Sequence, residues 1–171
     1  MPRNDEKESL LTDQESGLER SRRVDMKICL VCSHGGHLTE ILHLMEAFEG
    51  HETFFVTYDS ARTHELQHKY LLKNIGQNPL RMASAALSIF KVLCKEKPDL
   101  IVSTGSEIAI PAFYLAKLFR IKTIFIESWT RVVQPTGTGR IVYPVSDVFL
   151  VQWERLLTRY GKKARYEEGI I

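Results

Sequence analysis

The sequence predicts an α/β fold in which one doubly wound parallel sheet carries helices on both faces. Three observations predict it. Short apolar runs alternate with segments of helical apolar spacing, the pattern of β-α-β units with right-handed crossovers. The runs are nearly continuous in apolar residues, as strands covered on both faces require. The chain has 171 residues, 44% hydrophobic and 26% charged, which is the size and balance of one ordinary globular domain.

The elements follow in order. Residues 27–33, with Ile28, Cys29, Leu30, Val31 and Cys32, form a first strand bounded by Gly35 and Gly36. Leu38, Ile41, Leu42, Met45 and Phe48 recur at 3- and 4-residue spacings and predict a helix that Gly50 ends. Residues 53–58 (Phe54, Phe55, Val56) are the second strand, and 61–74 are polar, helical or irregular. A helix over 80–95 is stopped by Pro98, and 99–103 is the third strand. A helix over 111–119 leads to the fourth strand, 122–126. Residues 147–151 are the fifth, followed by a short helix near 154–160. No internal repeat is visible.

Composition excludes several classes. Lys and Arg number 23 against 21 Asp and Glu, a net charge of +2, so no basic field calls for nucleic acid. Three cysteines suit a reducing compartment better than a disulfide framework. Residues 1–25 are polar and acidic, lack a secretory apolar region, and are expected to form a flexible tail ahead of a folded domain over 26–171. No run reaches the ~18 apolar residues that a membrane span needs. The 80–95 helix mixes Leu80, Met82, Leu87, Ile89, Phe90 and Leu93 with Arg81, Lys91 and Lys95, which suits a core helix or one lying on anionic lipid.

Function is expected where strands end, because ligands of open parallel sheets bind at the carboxyl ends of the strands. Four loops fall there: Ser33-His34-Gly35-Gly36-His37, Ser103-Thr104-Gly105-Ser106-Glu107, Glu127-Ser128-Trp129-Thr130-Arg131 and Gln152-Trp153-Glu154. In the first, two residues without Cβ permit positive φ and close approach of a ligand, and the helix N-terminus behind them favours an anion such as a diphosphate. A tight turn that needs glycine only for geometry is the rival reading. His37 would donate a hydrogen bond or exchange a proton. Neither G-x-G-x-x-G nor a P-loop follows the first strand, so ordinary dinucleotide dehydrogenases and phosphate-transferring NTPases lack their marker. His34, His37, Glu40 and His43 have the wrong helical drift for one metal ion, so no metal ligand is assigned and Glu40 is expected on an exposed polar face. Cys29 and Cys32 point to opposite faces of a strand and read as buried structural thiols. Residues 136–140 (Thr-Gly-Thr-Gly-Arg) read as a flexible loop, either a phosphate contact or a plain connection, and Glu127 as a sugar-binding or catalytic carboxylate or a structural one.

These loops resemble a known family. The run from Ser33 to Leu38 is similar to the Gly-Gly-His loop of MurG-like glycosyltransferases, and the stretch from Ser103 to Pro111 with Ile126-Glu127-Ser128 is similar to their second signature. The closer resemblance is to the Alg14-like family and related bacterial polysaccharide-biosynthesis proteins of the PssD/EpsE/CpsF type. It rests on Gly35-Gly36-His37-Leu38, on the segments 126–131 and 139–147, and on Val151-Gln152-Trp153, across residues 26–171.

The resemblance implies one Rossmann-like half of a two-lobed GT-B glycosyltransferase. The chain would be the acceptor-binding, membrane-facing subunit, inactive without an Alg13-like partner that binds the donor. The implied reaction is inverting transfer from a UDP-sugar to a polyprenyl-diphosphate-linked acceptor, with no cofactor. His37 and Glu127 are the candidate catalytic residues; Ser33, His34, Gly35, Gly36, Gly105, Ser106, Glu107, Ser128 and Arg131 are candidates for substrate binding. Eukaryotic members carry an N-terminal membrane-spanning helix where this chain has a charged tail, so peripheral contact at the cytosolic face of a membrane is expected. The rivals are a non-catalytic scaffold that docks a glycosyltransferase, with residues 166–171 as a docking element, and a stand-alone nucleotide-sugar-modifying enzyme.

Overall fold

The computed structural model describes residues 26–76 and 78–168. The expected tail at 1–25 and the terminal residues 169–171 lie outside the described residues. Among the described residues, seven strands alternate with helices. They are β1 (Lys27–Val31), β2 (Glu52–Tyr58), β3 (Lys69–Leu72), β4 (Leu100–Ser103), β5 (Lys122–Ile126), β6 (Val148–Val151) and β7 (Ala164–Tyr166). The helices are α1 (Gly36–His43), α2 (Pro79–Glu96), α3 (Ala109–Phe119), α4 (Gly137–Val142) and α5 (Leu157–Tyr160). Short 3-10 turns cover Met45–Phe48, Ala61–Glu65 and Glu154–Leu156.

All pairings are parallel, in the order β3-β2-β1-β4-β5-β6-β7. The strand order reverses between β1 and β4, so the β1–α1 and β4–α3 loops diverge to opposite faces and leave a crevice at the carboxyl ends. The fold is the Rossmann-like α/β sheet that the alternation predicts.

Two apolar layers hold it together. Cys29, Val31, Phe54 and Val56 pack with Ile89 and Leu93 of α2 and Phe113 of α3 on one face. Ile28, Leu30 and Cys32 pack under Leu38 and Ile41 of α1 on the other. Cys29 and Cys32 therefore do face opposite sides, both buried, and burial in apolar surroundings pushes the Cys32 thiol up to about 12. An aromatic chain crosses the first layer: Phe113 meets Phe125 at 5.9 Å, Phe125 stacks on Phe149 at 5.0 Å, and Phe149 meets Tyr160 at 4.4 Å.

Helix ends follow local chemistry. The Asn78 side chain accepts from the N–H groups of Leu80 and Arg81, and Pro79 opens α2. Lys97 (φ 48°) and Arg120 (φ 59°) end α2 and α3 in the left-handed region. Three elements depart from expectation. Residues 69–72 form the edge strand β3, and 164–166 form the edge strand β7; both are too short to register as apolar runs. The 136–140 segment is not a flexible loop, because Thr136 caps α4 by accepting from the Gly139 N–H at 2.8 Å.

Among the described residues, no helix is long and apolar enough to cross a membrane. The α2 helix buries Ala85, Ile89, Val92 and Leu93 but leaves Leu80, Leu87 and Phe90 exposed, so it is a core helix with an apolar outer stripe.

Candidate functional site

The β1–α1 loop delivers the Gly-Gly pair to the crevice. Gly35 precedes α1 without a side-chain cap, so the first N–H groups of α1 open toward the loop and its positive dipole end is not neutralised by an acidic first turn. Positive φ is not used at either glycine; Gly35 has φ −96°. A Cβ at Gly35 or Gly36 would meet nothing within 4 Å. Space, not backbone handedness, is what these glycines leave open, and the turn-only reading has no internal clash to support it.

His37 sits in the first turn of α1, half-buried. Gly105, at φ 125°, packs flat against it; a Cβ there would lie 2.8 Å from His37 Cε1. The Thr104 hydroxyl donates to the His37 carbonyl at 2.8 Å. The β1 and β4 loops are thus locked together across the switch point.

From β5 comes the other wall. A cleft of about 170 Å³ is lined by Gly36, His37 and Glu40 on one side and by Ser128, Trp129, Thr130, Arg131 and Thr136 on the other. Glu40 is not on an exposed face. It is 3% exposed, its Oε1 accepts from the Ser128 hydroxyl at 2.6 Å, and its Oε2 faces His37 Nδ1 at 3.5 Å. Helical spacing places Glu40 one turn below His37, and the β5 loop then covers it. The Trp129 indole and the Arg131 side chain are exposed at the rim. The Trp153 indole N–H donates to the Trp129 carbonyl at 2.6 Å, which ties the fourth loop to the third.

Glu127 occupies a different place from the one its sequence position suggests. It is wholly buried, is not among the residues lining the cleft, and packs against Gly139 of α4. Its carboxylate accepts from the Ser128 N–H at 3.1 Å, the Thr136 N–H at 3.1 Å, the Thr136 hydroxyl at 3.0 Å and the Tyr160 hydroxyl. Burial and this bond to Glu127 both raise the pKa of the Tyr160 hydroxyl, so it stays a donor. A Cβ at Gly139 would lie 2.6 Å from Glu127 Oε2 and would also strike the Tyr160 hydroxyl. With its acceptor sites filled from within the chain, Glu127 shapes the β5–α4 loop.

The remaining predicted residues lie along the rim. Ser106 holds φ 76° and donates to Glu107 Oε2 at 2.7 Å, while the Tyr58 hydroxyl donates to Glu107 Oε1 at 2.9 Å. Burial opposes the Glu107 charge, but the bonds from Ser106, its own backbone and Tyr58, with His37 nearby, hold it below the usual carboxylate range. His34 is exposed with its ring 6.2 Å from Tyr58, and Ser33 is half-buried beside it. The structure therefore brings Gly36, His37, Ser128 and Arg131 into one cleft, with Gly105 behind them, and leaves Ser33, His34, Ser106 and Glu107 toward the β2 end. Sequence reasoning missed Glu40 and Tyr160 as site residues, while Thr130 and Thr136 lie in loops it named without assigning them a role. The i,i+3 spacing of His37 and Glu40 was the one available signal; Tyr160 had none.

Comparison with known proteins bears on this geometry. The family model described as "Oligosaccharide biosynthesis protein Alg14 like" matches residues 71–171. A UDP-N-acetylglucosamine transferase subunit ALG14 of Candida albicans is 31% identical over 110 residues, covering 58% of this chain and 49% of that protein. The same-named subunit of Yarrowia lipolytica is 26% identical, covering 90% of this chain and 85% of that protein. Among solved structures, MurG of Acinetobacter baumannii superposes with a TM-score of 0.71 at 14% identity, over 84% of this chain and 45% of the MurG chain. The chain thus spans about half the length of its Candida relative and of MurG, and the MurG likeness is one of fold. With a family model over more than half its length and the Gly-Gly-His and Glu-Ser-Trp-Thr-Arg loops meeting at one cleft, this chain belongs to the Alg14-like family.

Proposed function

We propose that the chain is the acceptor-side subunit of a two-chain glycosyltransferase that moves a sugar from a UDP-sugar, N-acetylglucosamine by analogy with the subunits it resembles, to a polyprenyl-diphosphate-linked acceptor. The observation that carries this reading is the one-sided cleft at the switch point. It offers an uncapped helix N-terminus, two glycines with open space above them, His37 and an exposed Arg131, on a fold that matches 45% of the MurG chain.

In the proposed mechanism the acceptor diphosphate lies over Gly35 and Gly36, on the first N–H groups of α1, with Arg131 closing from the rim. His37 takes the proton from the attacking acceptor hydroxyl as that oxygen bonds to the anomeric carbon and the UDP oxygen leaves. The donor would be held by an Alg13-like partner facing the crest. Glu127 acts through the β5 loop it anchors, and Ser33, His34, Ser106 and Glu107 line the path toward the acceptor's far end. The exposed stripe of Leu80, Leu87 and Phe90 on α2, extended by the Phe119 ring 5.4 Å from Phe90, would rest on the membrane that carries the acceptor.

The test is reconstitution. The chain alone and the chain with an Alg13-like lobe are assayed for transfer from UDP-N-acetylglucosamine to a polyprenyl-diphosphate acceptor. Turnover only by the pair supports the reading; robust turnover by the chain alone, or no association with any complementary lobe, overturns it.

A further inference from the structure

Two buried polar atoms in the cleft have no hydrogen-bond partner: His37 Nδ1 and Glu40 Oε2. They face each other at 3.5 Å, just beyond bonding distance. Orphaned buried polar atoms are rare and costly, and two adjacent ones on the same cleft wall call for a reason. The rest of the cluster is satisfied. Glu40 Oε1 accepts from the Ser128 hydroxyl, whose oxygen also lies 3.0 Å from the Thr130 hydroxyl, so this carboxylate is anchored from β5 with one oxygen left over for the imidazole.

From this geometry we infer that Glu40 is the positioning residue for His37. Glu40 Oε2 accepts the Nδ1 proton, fixes the Nδ1–H tautomer, and leaves the Nε2 lone pair free to act toward the cleft. The inference deepens the reading of His37 as the proton acceptor and rests on it for its catalytic meaning, but the tautomer itself does not. Ring orientation supports it. The ring is wedged between Glu40 and Gly105, and Nδ1 is buried while about a quarter of the side chain is exposed, so the accessible part of the ring lies away from Nδ1. Other charged groups near His37 are Glu107 on the β4 loop and Arg131 on the β5 loop; Glu107 is committed to Tyr58 and Ser106, and Arg131 is a cation that accepts nothing. Catalytic hydrogen bonds are often long in unliganded sites and shorten when the substrate complex forms or the imidazole gains its proton, which is the step at which Glu40 would close the 3.5 Å gap. The proton balance is simple: the acceptor hydroxyl proton moves to Nε2, the Nδ1 proton stays on nitrogen, and Glu40 stabilises the imidazolium without taking the proton.

The test reads the tautomer directly. In the ¹⁵N-labelled chain, two-bond ¹H–¹⁵N spectra report which imidazole nitrogen carries the proton, with His37→Gln identifying the signal. On the neutral limb of the titration the wild-type chain should show His37 protonated at Nδ1, and Glu40→Leu should shift it to the Nε2–H form that dominates in free histidine. Should Glu40→Leu not fold, Glu40→Met, of similar length and without an oxygen acceptor, should also lose the Nδ1–H population. His37 protonated at Nε2 in the wild type, or an unchanged Nδ1–H form in the folded variant, overturns the inference. In the reconstituted pair, Glu40→Gln should lower kcat by about 10²-fold with little change in KM for the acceptor, and alter the pH profile of kcat. An intact kcat beside a lost Nδ1–H form would mean that His37 is not the base, which is a failure of the functional reading and not of the tautomer assignment.

Discussion

Two residues beneath the β5–α4 loop show how packing shapes one wall of the cleft. Glu127 is a buried carboxylate held by four donors, and Gly139 exists where it does because any Cβ would collide with that carboxylate. Gly139→Ala should therefore destabilise the fold by about 1–3 kcal/mol, as overpacking of a closed site does, measured as a shift in the denaturant midpoint at constant slope. Glu127→Gln turns an amide N–H₂ toward groups that are themselves donors, and a loss of about 2–3 kcal/mol is expected. The same variant tests the sequence-based view of Glu127 as catalytic. In the pair, folded Glu127→Gln should keep most of its kcat; a large fall in kcat with unchanged stability would restore the catalytic role. His37 and Glu40 show the opposite case, where three residues of spacing were visible but burial was not, because the cover comes from Ser128, far along the chain.

Among the elements, α2 shows how local chemistry and packing divide the work. Its start is written in Asn78 and Pro79, and its inner face in Ala85, Ile89, Val92 and Leu93. Asn78→Ala removes the acceptor for the Leu80 and Arg81 N–H groups, and a loss of about 1 kcal/mol is expected, readable as earlier amide exchange in the first turn of α2. The edge strands are different. Lys69–Leu72 and Ala164–Tyr166 are too short to announce a strand; they pair because β2 and β6 offer unpaired edges, so β3 and β7 are consequences of assembly. Similarly, α4 is only six residues, contains two glycines, and forms because Thr136 caps it and Glu127 holds the cap.

At the scale of the whole molecule, the two ends of the sheet are chemically distinct. The carboxyl end carries the glycines and the cleft, while the amino end is closed by a charged network. There Lys27 Nζ reaches Glu96 at 2.5 Å and Glu52 at 2.9 Å, and the Tyr70 hydroxyl donates to Glu96. The bond from Lys27, then that from Tyr70, lowers the Glu96 carboxyl to about 2 from its ordinary value of 4.5. A carboxylate depressed in the folded state stabilises above its ordinary pKa and loses that contribution as pH falls through the folded value. Stability should thus decline from about pH 4.5 to about pH 2, and Glu96→Gln should be less stable at neutral pH while flattening that acid limb, as thermal melts across the range would show. The Lys27 side is the mirror case: its pKa is raised by Glu96 and Glu52, so its contribution holds below the ordinary lysine value and fades only as pH rises beyond it.

Periodicity alone determined the class of fold, most strand positions and the loops that carry function, because apolar alternation is a local property and parallel sheets place their ligands at strand ends. The Gly-Gly-His loop, the strand ending in Glu127 and the opposed faces of Cys29 and Cys32 were all legible that way. What only the tertiary structure decided is which of those polar groups face the cleft. Glu127 turned inward because Thr136 and Tyr160 converge on it, and Glu40 became a cleft residue because Ser128 descends from β5 to meet it. Burial and hydrogen-bond satisfaction are set by chain segments distant in sequence, and no local spacing encodes them.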